Sequence, residues 1–143
     1  MVQVDITLVQ PGFGFEATDA NGHTARFDTS PDHGGQEYGI RPMQSLLMAL
    51  GTCSGIDVVS ILQKMRQEIK VYTMQIKGQR EHDKVPALWK NVHMLFRLGG
   101  NIEEEKARHA ISLSIEKYCS VAETLRRAGC VITWELELLP DAN

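Results

Sequence analysis

Val2, Val4, Ile6 and Leu8 alternate with polar or smaller neighbours, the period of a strand with one buried face, and Pro11-Gly12 then turns the chain. Two short strands are predicted over residues 13–17 and 23–28, joined by Asp19-Ala20-Asn21-Gly22, where Asn-Gly supplies the positive φ of a tight hairpin. The chain therefore opens as a small antiparallel sheet. A loop over residues 30–39, with Pro31, Gly34, Gly35 and Gly39, leads to Pro42, well placed as a first helical residue. From there Leu46, Leu47, Met48, Leu50, Ile56, Val58, Val59, Ile61, Leu62 and Met65 cover most of a helical circumference rather than one stripe. A helix that is apolar all round is buried all round, and a 143-residue monomer rarely encloses one, so the pattern predicts a partner subunit.

From Ile69 the period returns to two. Tyr72, Met74 and Ile76 form one face, and after residues 81–86 a second run carries Val92, Met94, Phe96 and Leu98, which together read as a long hairpin. Asn101 with Glu104 matches a capping box, and Ala107, Ala110, Ile111 and Ser114 form the stripe of a second long helix running to about Tyr118. Ser120 with Glu123 is another box, Gly129 suits the residue after a helix, and Cys130, Ile132, Trp134, Leu136 and Leu138 alternate as a final strand. The order is βββ-α-ββ-α-α-β, an α+β fold in a single domain over 1–143.

Fifteen Lys and Arg against eighteen Asp and Glu leave a net charge of −3, which offers no basic footprint for nucleic acid or an acidic membrane. The N-terminus lacks the basic flank and apolar core of a signal peptide, and no apolar stretch is read as reaching the ~20 residues of a bilayer span, so the chain is expected to be cytoplasmic. His23, His33, His82, His93 and His109 show neither His-x-x-x-His spacing nor a Cys/His cluster, so no metal and no bound organic cofactor are expected. His33-Gly34-Gly35 reads as turn chemistry, and no Gly-x-Ser-x-Gly elbow or phosphate loop is present.

The three cysteines carry the remaining chemistry. Cys53 and Cys119 both stand in Cys-Ser-x-x-acid segments, ending in Asp57 and Glu123. Ser followed three residues later by an acid marks a helix start, so each sulfur is expected just outside a helix N-terminus, where free N–H groups lower a thiol pKa. Gly51 and Gly55 suggest two helices with a break at Cys53, a continuous kinked helix being the alternative. Cys130 shares the alternating face of Ile132 and Trp134 and is expected to be buried packing.

Gly34-Gly35, Gly39, Arg41-Pro42-Met43, Leu46-Leu47-Met48-Ala49-Leu50-Gly51, Cys53 and Asp57-Val58-Val59, followed 66 residues after Cys53 by Tyr118-Cys119, resemble the OsmC/Ohr family over nearly the whole chain. The Arg-Pro-Met segment resembles a less characterised branch of it. The resemblance implies an intertwined homodimer with buried central helices and two thiol sites at the dimer interface, Cys53 matching the peroxidatic cysteine and Cys119 the resolving one. It implies that Cys53 thiolate attacks a peroxide, becomes a sulfenic acid and forms a disulfide with Cys119 that an external dithiol reduces. Family members active on organic hydroperoxides hold the thiolate with a Glu ten residues before the first Cys and an Arg from the first hairpin. Here that position is Met43, and residues 7–21 contain no Arg. Arg41, Gln44 and Glu37 are the nearest substitutes along the sequence.

The expected function is thus thiol-dependent reduction of hydrogen peroxide or organic hydroperoxides. A dimeric protein binding a small hydrophobic ligand at its interface, with weak or no peroxidase activity, is the alternative. Thiol acyl transfer ranks last, for want of a histidine base or an oxyanion hole.

Overall fold

The computed structural model describes residues 1–140. They form two compact units that divide between Leu46 and Leu47, within the first α-helix.

In the first unit β1 (Val4–Gln10), β2 (Gly14–Asp19) and β3 (Thr24–Phe27) make an antiparallel sheet in the order β1-β2-β3. The Asn21-Gly22 turn forms as its sequence demands: Gly22 has φ 88°, and the Asp19 carboxylate accepts the N–H groups of Asn21 and His23, each at 2.9 Å. The loop that follows is pinned by Asp28, which is buried and accepts the N–H groups of Thr29, Gln36 and Tyr38. Those donors hold its carboxyl below the usual range, the Gln36 N–H contributing most. His33 lies in a 3₁₀ turn, Pro31–His33, with its Nδ1 2.8 Å from the Ser30 hydroxyl, so turn chemistry accounts for it. The expected buried face of β1 is not found within one chain. Val4, Ile6 and Leu8 are all more than half exposed, because a three-stranded meander has nothing of its own to lay over them.

α1 (Pro42–Lys64) is one continuous helix of 23 residues, so the break expected at Cys53 is absent. The glycines that suggested it lie within the helix facing β4, Gly51 tightly and Gly55 at ordinary contact distance. A Cβ on Gly51 would stand 2.8 Å from the end of the Ile76 side chain, and one on Gly55 would stand 3.7 Å from the Tyr72 hydroxyl. Leu50, Ser54, Val58 and Leu62, four residues apart, form the buried stripe. All-round burial is not met in the single chain: Leu46, Met48 and Ile56 are exposed on the other faces, Ile56 by 71%. The expectation about membrane length also needs correction, because α1 is long and apolar enough to cross a bilayer by length and composition. Gly51, Thr52, Ser54 and Gly55 interrupt the apolar run without lowering its mean hydropathy far enough, while the buried stripe is that of a core helix.

β4 (Glu68–Arg80), β5 (Trp89–Asn101) and β6 (Val131–Leu139) form the second sheet, β4-β5-β6, with β4 and β5 antiparallel and β5 and β6 parallel. Val92, Met94, Phe96 and Leu98 of the central strand are the heart of the core. Phe96 meets Tyr72 and Trp134 edge to face, each at 6.4 Å between ring centres. α2 (Glu104–Leu113) opens at Glu103 rather than through an Asn101 box, because Asn101 is still paired in β5 and the Gln67 side chain accepts the Glu103 N–H at 2.7 Å. α3 (Ser120–Arg127) ends in Gly129 at φ 99°, with Cys130 N–H donating to Leu125 O and Gly129 N–H to Arg126 O, a Schellman closure.

Gly100 ends the sheet's longest pairing at φ 134°, beside an irregularity in the β4 register between Ile69 and Val71. A Cβ there would meet the backbone oxygen of Glu68 at 2.2 Å. Gly100→Ala should destabilise the fold by about 2 kcal/mol or more, read as a lower urea midpoint with unchanged slope.

Candidate active site

Cys53 and Asp57 are one turn apart on α1, so their side chains project from the same flank of the helix. Cys53 is mid-helix rather than outside a helix start, which corrects its expected placement: its N–H lies inside the α1 ladder, and no helix end bears on its sulfur through α1. Ser54, read as a cap, is instead fully buried in the packed stripe. Cys119 does meet the expectation of a helix start, with one shift. It is itself the cap of α3, its Sγ accepting the Ala122 N–H at 3.4 Å, and Ser120 is already helical.

The backbone before it explains how. α2 does not stop but widens into a π turn, Ser114–Tyr118, closed by the Cys119 N–H donating to Ser114 O at 2.7 Å. Arg126 reaches back from α3 and donates to Ile115 O at 2.6 Å, fixing the π turn to the helix that follows it. Such insertions re-aim side chains. Here the turn brings Cys119 Sγ, Cys53 Sγ and an Asp57 carboxylate oxygen within 4.8 Å of one another.

A hydroxyl network backs the cluster. Ser114 Oγ donates to Asp57 Oδ2 at 2.9 Å and lies 3.1 Å from Ser54 Oγ. Both serines are fully buried, so these contacts satisfy groups that water cannot reach. Two influences compete at Cys119. The start of α3 favours a thiolate, but burial disfavours the charge and the neighbouring Cys53 sulfur adds to that, so the Cys119 thiol is pushed up to about 11. Burial wins because the residue is only 2% exposed and the Ala122 and Val121 N–H groups offset it only in part. All three cysteines carry free thiols, and Cys130 is buried as expected, with its pKa also raised by burial.

Arg41 and Glu37 pair with each other at 2.7 Å in the first unit, and Gln44 is exposed in the first turn of α1. Sequence reasoning passed over Asp57, Ser54 and Ser114. The signal was present in the i, i+4 spacing of Cys53 and Asp57, but a capping box explained the acid first, and Ser114 looked like one more residue of the α2 stripe. Among the described residues, Cys53, Asp57 and Cys119 are also the one set of three metal-capable side chains whose donor atoms converge. Local spacing could not reveal a set drawn from two helical segments 66 residues apart.

A family model described as OsmC-like protein matches residues 33–135. The chain belongs to the OsmC-like family. Its similarity to Protein YhfA of Escherichia coli strain K12 is 36% identity over 118 residues, 82% of this chain and 84% of that one. The crystal structure of a hypothetical protein from Aquifex aeolicus superposes with a TM-score of 0.80 at 31% identity, over 97% of this chain and 98% of the other. The organic hydroperoxide resistance protein OhrB of Bacillus subtilis superposes with a TM-score of 0.62 at 16% identity, over 96% and 98%, a likeness of fold. The α+β architecture read from the periodicity is thus the OsmC-like one, and Cys53 and Cys119 of this OsmC-like chain lie inside the matched region.

Different surroundings should separate the three thiols. Mapped by mass after brief iodoacetamide treatment at pH 8, Cys53 should carry most of the label and Cys119 and Cys130 little, and labelling of Cys119 should climb steeply only as the pH approaches 11. Equal labelling of Cys53 and Cys119 at pH 8 would show that burial does not control the second thiol.

Proposed function

We propose that this OsmC-like protein is a thiol peroxidase in which Cys53 attacks the peroxide and Cys119 resolves the product. The observation that carries the reading is the approach of the two sulfurs to within 4.8 Å, from α1 and from the cap of α3. Cys53 is half-buried and reachable, whereas Cys119 is buried and held protonated at neutral pH, which suits the first to the attack and the second to the later step. Cys53 thiolate displaces alkoxide from a hydroperoxide, the alkoxide leaves as alcohol after taking a proton, and the sulfur becomes a sulfenic acid. The Cys119 sulfur then bonds to Cys53 sulfur, the S–O bond breaks, and hydroxide leaves as water. The proton that Cys119 gives up has the Asp57 carboxylate within reach to relay it. An external dithiol closes the cycle by exchange. With Met43 in place of a Glu and no Arg in the first hairpin, turnover is expected to be slower than in family members that hold both.

A homodimer is part of this reading. The uncovered apolar residues Val4, Ile6 and Leu8 of β1 and, separately, Met48 and Ile56 of α1 each leave apolar area that water should disfavour. A cytoplasmic setting accords with three free thiols.

Wild type given one equivalent of alkyl hydroperoxide should form a Cys53–Cys119 disulfide detectable by non-reducing peptide mapping. Cys53→Ser should lose peroxide consumption to background, while Cys119→Ser should consume one equivalent and stall as sulfenic acid or over-oxidise. Free wild-type thiols after minutes with alkyl hydroperoxide would remove the peroxidase and favour a ligand-binding dimer. Sedimentation at micromolar concentration should give a dimer, and a stable folded monomer would refute that part.

A further inference from the structure

The geometry points to a second use of the same three side chains: Cys53, Asp57 and Cys119 form a binding site for a soft divalent cation, Zn²⁺ by preference, held by two thiolates and one carboxylate. The inference does not rest on peroxidase activity. Zinc takes sulfur at ~2.3 Å and carboxylate oxygen at ~2.0–2.2 Å in a tetrahedron, which sets its donors roughly 3.5–4 Å apart. Donor atoms that already lie within 4.8 Å of one another need only small side-chain rotations to close on the ion.

The surroundings match what such a site requires. Cys53 and Asp57 come from successive turns of α1, and Cys119 is fixed by the π turn and by its place at the cap of α3. The Ser114 hydroxyl on Asp57 Oδ2 orients the carboxylate from outside the donor set. Cys119 is buried, but Cys53 and Asp57 are only half-buried, so two of the three donor residues are in part exposed to solvent. Two sulfur donors select Zn²⁺ over Mg²⁺ or Ca²⁺, which prefer shells of oxygen. Three protein ligands leave a fourth position to water or a small ligand. A bound ion and a Cys53–Cys119 disulfide exclude each other, because both use the same two sulfurs.

The test titrates reduced, metal-free full-length protein with Zn²⁺ alone by calorimetry, and with Co²⁺ to read thiolate-to-cobalt charge transfer in the near ultraviolet. One Zn²⁺ per chain is expected, with binding lost in Cys53→Ser and in Cys119→Ser and unchanged in Cys130→Ser. Asp57→Asn and Ser114→Ala should each weaken binding by about 10–100-fold, circular dichroism confirming that every variant is folded. The site is overturned if folded wild type fails to bind Zn²⁺ at micromolar concentration, or if Cys53→Ser or Cys119→Ser binds as wild type does. It is equally overturned if Asp57→Asn and Ser114→Ala both leave affinity and cobalt spectrum unchanged, since the carboxylate is then no ligand.

Discussion

The rotation of α1 about its axis is the constraint on which the site depends. Gly51 leaves room for the end of the Ile76 side chain, which a Cβ would meet at 2.8 Å, while a Cβ on Gly55 would be in ordinary contact with the Tyr72 hydroxyl at 3.7 Å. Glycine in a helix interior costs about 1 kcal/mol against alanine, and at Gly51 the contact with Ile76 accompanies that cost. α1 turns Leu50, Ser54, Val58 and Leu62 into the core and leaves Cys53 and Asp57 on the flank of that stripe, half-buried. Had the glycines marked a break, Cys53 would stand at a helix end with free N–H groups around it. In the continuous helix the chemistry of its sulfur depends on what α2 and α3 bring to it.

They bring it through an irregularity. A regular α2 continued to Tyr118 would aim residue 119 elsewhere, and the extra residue in the π turn is what lets Cys119 both cap α3 and face α1. Ser114 belongs to both parts of this arrangement. Its carbonyl closes the π turn on the Cys119 N–H while its hydroxyl holds Asp57 on the other helix. One residue thereby ties the backbone that places the second sulfur to the carboxylate that stands beside the first.

The two sulfurs share similar sequence contexts and end in unlike environments. Cys119 has the helix start that the motif promised, yet burial and the nearby Cys53 sulfur outweigh the N–H groups of Ala122 and Val121. A helix N-terminus stabilises an anion by a fraction of a kcal/mol to about 2 kcal/mol, and desolvation of a buried charge exceeds that readily. The asymmetry between a reachable thiol and a buried one is therefore a matter of depth, and two identical motifs cannot encode depth.

Periodicity was enough to read the element order, because each period reports a local backbone geometry: alternation for β1, β4, β5 and β6, the 107, 110, 111, 114 stripe for α2, and Gly129 for the end of α3. The pair Cys53 and Cys119 was legible too, through the segments around them and their resemblance to a family. What periodicity could not supply was any fact that depends on two distant segments meeting. The fit of Gly51 required Ile76 of β4 beside it, the role of Asp57 required Ser114, and the cover that the apolar alternation of β1 implied is not found within one chain. Local sequence determines how the backbone of a segment repeats and which of its faces is apolar. Whether that face is filled, and what a side chain meets there, is decided by contacts between residues tens of positions apart, and those exist only once the chain has folded.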